Sequence, residues 1–195
     1  MKINILSDNK LFSKLESLKE QGFDQIKLPG GTSKDRQHFS AVVICYYNPN
    51  DKKTYFLGLP YNSSFHKSGD ENENIKKHGE TPTQTAIREA KEETELILKK
   101  EDLEELVYAK YEVKDRDDRS KVVHVKHFFL VKKFSGNISE FDGPNETDGE
   151  IAAPLWISAV LFKKVLWGGH RKAFDGSLRI LSSDREICMS IMDLL

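Results

Sequence analysis

The chain has 195 residues, 38% of them hydrophobic and 31% charged, enough to bury one ordinary globular core and too few for two roomy domains. Thirty basic residues against 31 acidic ones leave a formal charge of -1, so no global field favours a nucleic acid or an anionic membrane as main partner. The N-terminal stretch lacks the long apolar core of a signal peptide and no later run is apolar enough to span a bilayer, so a soluble cytoplasmic protein is expected, with a homodimer left open.

Leu11, Leu15 and Leu18 recur at helical spacing behind Ser7 and Asp8, which can cap a short helix ending near Gly22. Pro29-Gly30-Gly31 reads as a turn ahead of a hairpin. The hairpin's strands are residues 40–47 and 54–59, rich in β-branched and aromatic types, with Asn48-Pro49-Asn50-Asp51 of turn composition between them. Cys45 in this hairpin and Cys188 near the end lack CxxC spacing or further partners, and both read as buried reduced thiols. Residues 61–79 turn polar and suggest a long surface loop.

Thr81-Pro82-Thr83-Gln84 then has the composition of a capping box with proline at the first helical position, predicting a helix over 82 to about 94. Residues 96–98 and 106–113 look like strands. Residues 121–131 alternate apolar and mixed types on both faces, as in a sheet covered on both sides. Ser158 is placed to cap a short helix that Gly168-Gly169 ends, and Ser183 with Glu186 repeats the capping-box pattern before a last helix. His124 and His127 fall on opposite strand faces and cannot share a metal; with His170 they read as structural.

The segment 79–96 carries the chemistry. On a helix Glu89, Glu92 and Glu93 fall within an arc of about 100°, beside an arc holding Ala86, Ile87, Ala90 and Thr94. Like charges three and four residues apart repel by a few tenths of about 1 kcal/mol. A hard divalent cation reverses that sign, because magnesium takes oxygen ligands and commonly shares a few carboxylates with substrate phosphates.

In this segment the chain resembles the Nudix family, whose box is G-x5-E-x7-R-E-U-x-E-E-x-G-U, with U an apolar residue. Glu80, Arg88, Glu89, Ala90, Glu92, Glu93 and Leu96 match in register. Asn74 and Glu95 stand where the box has glycine. Asn tolerates positive φ, whereas Glu95 must either adopt the left-handed conformation at a cost of about 1 kcal/mol or end the helix differently. The resemblance implies an α/β fold, a Nudix-type α/β/α sandwich with a mixed, partly antiparallel sheet. One domain over 1–195 is expected, with 1–39 as an N-terminal extension and about 168–195 as a C-terminal helical one.

It implies further that Glu89, Glu92 and Glu93 bind Mg2+, with Mn2+ as a substitute, that Glu92 and Glu93 act in catalysis, that Arg88 holds a box carboxylate in place, and that Glu80 braces loop and helix with an outer role at the metal. Family members often add a carboxylate from outside the box, for which Glu150, with Glu146 beside it, is suitably placed; the alternative is a plain acidic turn. Residues 114–119 resemble the Arg-Asp-x-Arg loop of ADP-ribose-type members. Arg116 and Arg119 there would meet a terminal phosphate or sugar, or else belong to an ordinary solvated loop. The implied function is hydrolysis of a pyrophosphate bond in a nucleoside diphosphate linked to another moiety, ADP-ribose-like or related. The alternative is a Nudix module that senses a nucleotide without cutting it, a reading that Asn74, Glu95 and the polar loop motivate.

Overall fold

A computed structural model describes residues 3–33, 38–62, 79–114, 121–138 and 151–164. The polar loop with Asn74, residues 115–120 with Arg116 and Arg119, the acidic stretch with Glu146 and Glu150, His170, Cys188 and the last helix lie outside the described residues.

In chain order the described elements are α1 (Asp8–Glu20), β1 (Gln25–Lys27), β2 (Gly30–Thr32), β3 (His38–Asn48), β4 (Lys53–Tyr61), α2 (Pro82–Thr94), a 3-10 turn (Lys100–Asp102), β5 (Leu103–Lys114), β6 (Lys121–Val131), β7 (Leu155–Ser158) and α3 (Ala159–Lys164). They form a seven-stranded sheet in the order β1-β4-β3-β6-β5, with β2 added on β3 and β7 on β4. Only β3 and β6 pair in parallel among these; the other pairs are antiparallel. The sheet is mixed, as expected.

Alternation along β3 assigns its two faces. Ala41, Val43 and Cys45 join Phe128 and Leu130 of β6 in a core closed by Leu11 and Leu18 of α1 and by Leu161 and Phe162 of α3. Val42 and Ile44 join Phe129 and Val131 on the other face, closed by Ala86 and Ala90 of α2 and by Trp156, which stacks on Phe134. Helices therefore cover both faces, giving an α/β/α sandwich. Each large side chain so buried contributes about 1.5–3 kcal/mol. Burial also pushes the Cys45 thiol up from its ordinary range, which keeps it protonated and unreactive.

The short helix behind Ser7 forms, but the Ser7 side chain makes no capping bond; its carbonyl instead accepts from Leu11 N–H at 2.9 Å. Residues 96–98 do not form a strand. Leu96 and Leu98 are buried and Ile97 is exposed, so the alternation is real, yet Ile97 makes only an isolated bridge to Ser135. The strand expected from 106 starts at Leu103, directly after the 3-10 turn. Pro29-Gly30-Gly31 is also not a simple turn, because from Gly30 the chain is extended and paired with Ser40 and Ala41.

Candidate active site

The start of α2 is fixed as the sequence predicts. Thr81 Oγ1 accepts from Gln84 N–H at 3.3 Å, and Gln84 Oε1 accepts from Thr81 N–H at 2.9 Å. Ser40 donates to the Pro82 carbonyl at 2.8 Å, tying this end to β3. Ala86 and Ala90 are fully buried, and their small side chains let the helix lie close on β2 and β3. At the other end Glu95 takes the left-handed conformation, φ 59° and ψ 5°, with its N–H donating to the Lys91 carbonyl. The helix thus ends as a glycine would end it, at the strain cost expected for Glu.

The acid face of α2 turns toward β1 and β2. Arg88 organises it: Nε and Nη2 donate to the two oxygens of Glu80, each at 2.9 Å, in the bidentate geometry that a planar guanidinium favours. Nη1 donates to Glu89 Oε1 at 2.7 Å and to Glu92 Oε2 at 3.0 Å, and Nη2 also reaches the Thr32 carbonyl at 3.0 Å. Glu80 and Arg88 are therefore joined, and Arg88 links three carboxylates and the β2 backbone. Hydrogen bonding to Glu80 raises the Arg88 pKa further above its already high value.

Glu93 has a separate set of partners. Lys27 Nζ of β1 donates to Oε1 at 2.7 Å, and the Gly30 amide donates to Oε2 at 2.7 Å. A Cβ at Gly30 would stand 2.1 Å from the Ser40 carbonyl oxygen, and one at Gly31 2.4 Å from Glu89 Oε2. Only glycines let this strand approach both β3 and the helix carboxylates. Lys27, Gly30, Gly31, Glu89, Glu92, Glu93 and Ile151 line an open cavity of about 270 Å³.

Exposure ranks the carboxylates. The side chains of Glu93, Glu89 and Glu92 are 8%, 16% and 58% exposed. Burial raises the pKa of Glu93 despite the opposing charge and hydrogen bond of Lys27, with Gly30 also lowering it and Glu89 adding repulsion. Burial likewise raises Glu89, opposed by Arg88 and reinforced by Glu92. When all are ionised, four carboxylates face two cations, Arg88 and Lys27, and two negative charges remain over.

Such a set suits a hard divalent cation: the donors are all oxygen, three of the four carboxylates are mostly buried, and the excess charge matches one ion. Among the described residues no three His, Cys, Asp or Glu are already gathered around one ion position; Arg88 holds Glu89 and Glu92 while Lys27 holds Glu93. His127 lies elsewhere, paired with Glu105 at 2.9 Å, and His38 meets Thr85 Oγ1 at 3.2 Å.

Sequence reasoning missed Lys27, Gly30, Gly31 and the Thr32 carbonyl. The available signal was the Pro-Gly-Gly run itself, whose paired glycines permit close backbone approach.

The fold is thus an α/β/α sandwich that carries a helix of clustered carboxylates over an open cavity. The family model for the NUDIX domain matches residues 75–175, more than half of the chain. The chain belongs to the Nudix family and is a pyrophosphohydrolase of that family. A comparison with curated proteins gives no match. Among solved structures it is similar to a MutT protein from Bacillus halodurans, with 12% identity, 80% of this chain and 82% of that one covered and a TM-score of 0.44. It is similar to a C. elegans Ap4A hydrolase in a binary complex at 15% identity, with coverage of 81% and 98% and a TM-score of 0.41. A third is the NUDIX domain of Shewanella oneidensis NrtR complexed with ADP ribose, at 17% identity, coverage of 66% and 76% and a TM-score of 0.38.

Proposed function

We propose that this chain hydrolyses, with Mg2+ or Mn2+, the pyrophosphate bond of a nucleoside diphosphate linked to another group, ADP-ribose-like or related. The observation that carries this reading is the convergence of Glu89, Glu92 and Glu93 on one cavity, two of them desolvated and all held by protein donors. Glu89, Glu92 and Glu93 would bind the metal, with Glu80 behind them through Arg88. Bound there, a divalent ion supplies charge neutralisation at the phosphoryl oxygens and a lowered pKa for water.

The remaining work falls to the protein. Arg88 keeps Glu89 and Glu92 in register and makes no claim on the substrate. Water adds to one phosphorus, the bridging P–O bond breaks, and a nucleoside monophosphate and a phosphorylated remainder leave. The proton from water passes to a carboxylate; Glu92, the most exposed of the three at the cavity, is one candidate, and Glu150, offered by the family resemblance, is the other. Arg116 and Arg119 are assigned to a terminal phosphate or sugar. We treat the whole chain as one Nudix domain acting on a small-molecule nucleotide, without membrane or nucleic acid, as a monomer or homodimer in the cytoplasm. No helix among the described residues is long and apolar enough to cross a membrane.

The second reading, a module that binds a nucleotide without cutting it, draws on Asn74, Glu95 and the polar loop; Glu95 ends the helix in the left-handed conformation of the glycine it replaces, and Asn74 and the loop lie outside the described residues. The test is incubation with a panel of nucleoside diphosphate derivatives with and without Mg2+, following nucleoside monophosphate release. Mg2+-dependent release supports the proposal and names the substrate. Ligand that binds by calorimetry and is recovered intact from every member of the panel supports the sensing module.

A further inference from the structure

Lys27 lies outside the box, yet its ammonium occupies the approach to the most buried box carboxylate. Nζ is 2.7 Å from Glu93 Oε1 and 5.1 Å from the centroid of the Tyr61 ring, and its side chain is 25% exposed on the cavity. The other Glu93 oxygen is taken by the Gly30 amide. Glu93 thus has both oxygens engaged by protein donors, one neutral and fixed in the backbone, the other charged and at the end of a flexible four-carbon stem.

We propose that Lys27 is the resident counter-ion of the metal position: metal loading moves its ammonium off Glu93 Oε1 into the cavity, where it becomes a contact for the substrate's phosphates. This rests on the metal reading of the site. A divalent ion and an ammonium on the same carboxylate oxygen repel strongly at such distances in a part-buried site. The Gly30 amide is neutral and has no reason to leave. Lys27 does, and the Tyr61 ring face offers its charge a second attraction close by. An ammonium released into a cavity lined by Glu89 and Glu92 and entered by a pyrophosphate gains a new anionic partner there. Lys27 would therefore order the cycle, with metal first and substrate second, and is a positioning residue until it meets the phosphate.

The test is Mn2+ binding to metal-free protein, measured by calorimetry on the wild type, Lys27→Met, Lys27→Gln and Lys27→Arg, with thermal unfolding to verify the fold. Removing the competing charge tightens Mn2+ binding roughly ten-fold in the Met and Gln variants, while Arg leaves it at or below the wild-type affinity. A purely structural strut gives the opposite sign, because its loss disorders Glu93. Folded Met and Gln variants that bind Mn2+ no more tightly than the wild type overturn the proposal. Where Lys27→Met fails to fold, Lys27→Gln, whose amide still donates to Glu93, decides. At saturating Mn2+, methylenediphosphonate binds the Gln variant several-fold more weakly than the wild type; equal binding overturns the phosphate contact. Absence of Mn2+ binding in every protein, wild type included, overturns the metal reading itself, whereas binding indifferent to Lys27 overturns this inference alone.

Discussion

Replacing Gly31 with alanine puts a methyl carbon 2.4 Å from Glu89 Oε2 and 2.5 Å from its carboxyl carbon, where ordinary contact begins at 3.4 Å. Gly31 is not in the left-handed region, so the backbone tolerates alanine and the flexible carboxylate must retreat by about 1 Å. That takes Glu89 Oε1 out of reach of Arg88 Nη1, now at 2.7 Å, and shifts one of the three proposed metal donors. A displacement of this size at a reacting centre costs roughly 100-fold in rate. The fold loses little, about 1 kcal/mol for one hydrogen bond, or roughly 2–4 °C in Tm for a chain of this size.

Gly30→Ala is the control. There the methyl meets the Ser40 carbonyl at 2.1 Å with φ at +149°, and since only backbone opposes it the cost is about 3 kcal/mol. Measuring kcat/KM together with thermal unfolding separates the two substitutions. A Gly31→Ala protein with wild-type kcat/KM refutes the role given to Glu89, and one that unfolds as readily as Gly30→Ala refutes the claim that the side chain is what yields.

Arg88→Ala leaves Glu80 and Glu89, both mostly buried, without their cation and lowers stability in urea by about 3 kcal/mol; a loss within experimental error contradicts the network described. Glu95→Gly relieves the left-handed strain and raises stability by about 1 kcal/mol, so an unchanged or lower urea midpoint speaks against the strained helix end. Glu89 and Glu93 both have folded pKa values above their ordinary value of 4.5, chiefly through burial. The folded state therefore holds protons that the unfolded state has released. Their contribution to metal-free stability is full below about 4.5 and is lost as pH rises through the folded values. Urea titrations in EDTA across that window show a falling limb that the double variant Glu89→Gln, Glu93→Gln flattens; a limb unaltered in the double variant assigns it to other groups.

Much of this is legible in the sequence because it is local. Thr81 and Gln84 cap their own helix, and Glu89, Glu92 and Glu93 share a face by helical geometry alone, whereas the sequence leaves two ways for Glu95 to end the helix and the fold takes the left-handed one. The two sheet faces follow from alternation along residues 40–47 and 121–131. The hidden part is long-range. β1 and β2 are three residues each and carry no periodic signal, so nothing local places Lys27 and Gly30 against Glu93, more than 60 residues away. Read as an isolated helix, the acid face looks solvated. In the folded chain Glu93 is a buried carboxylate, because paired glycines admit a strand where any side chain would collide.

The most direct test of the account compares the wild type with Glu93→Gln in Mg2+-dependent hydrolysis of the best substrate from the panel. The substitution preserves shape and removes one charge from the proposed metal set. Turnover is expected to require Mg2+ and to fall at least roughly 100-fold in the variant. Turnover that needs no divalent ion, or that survives the loss of Glu93, contradicts the account.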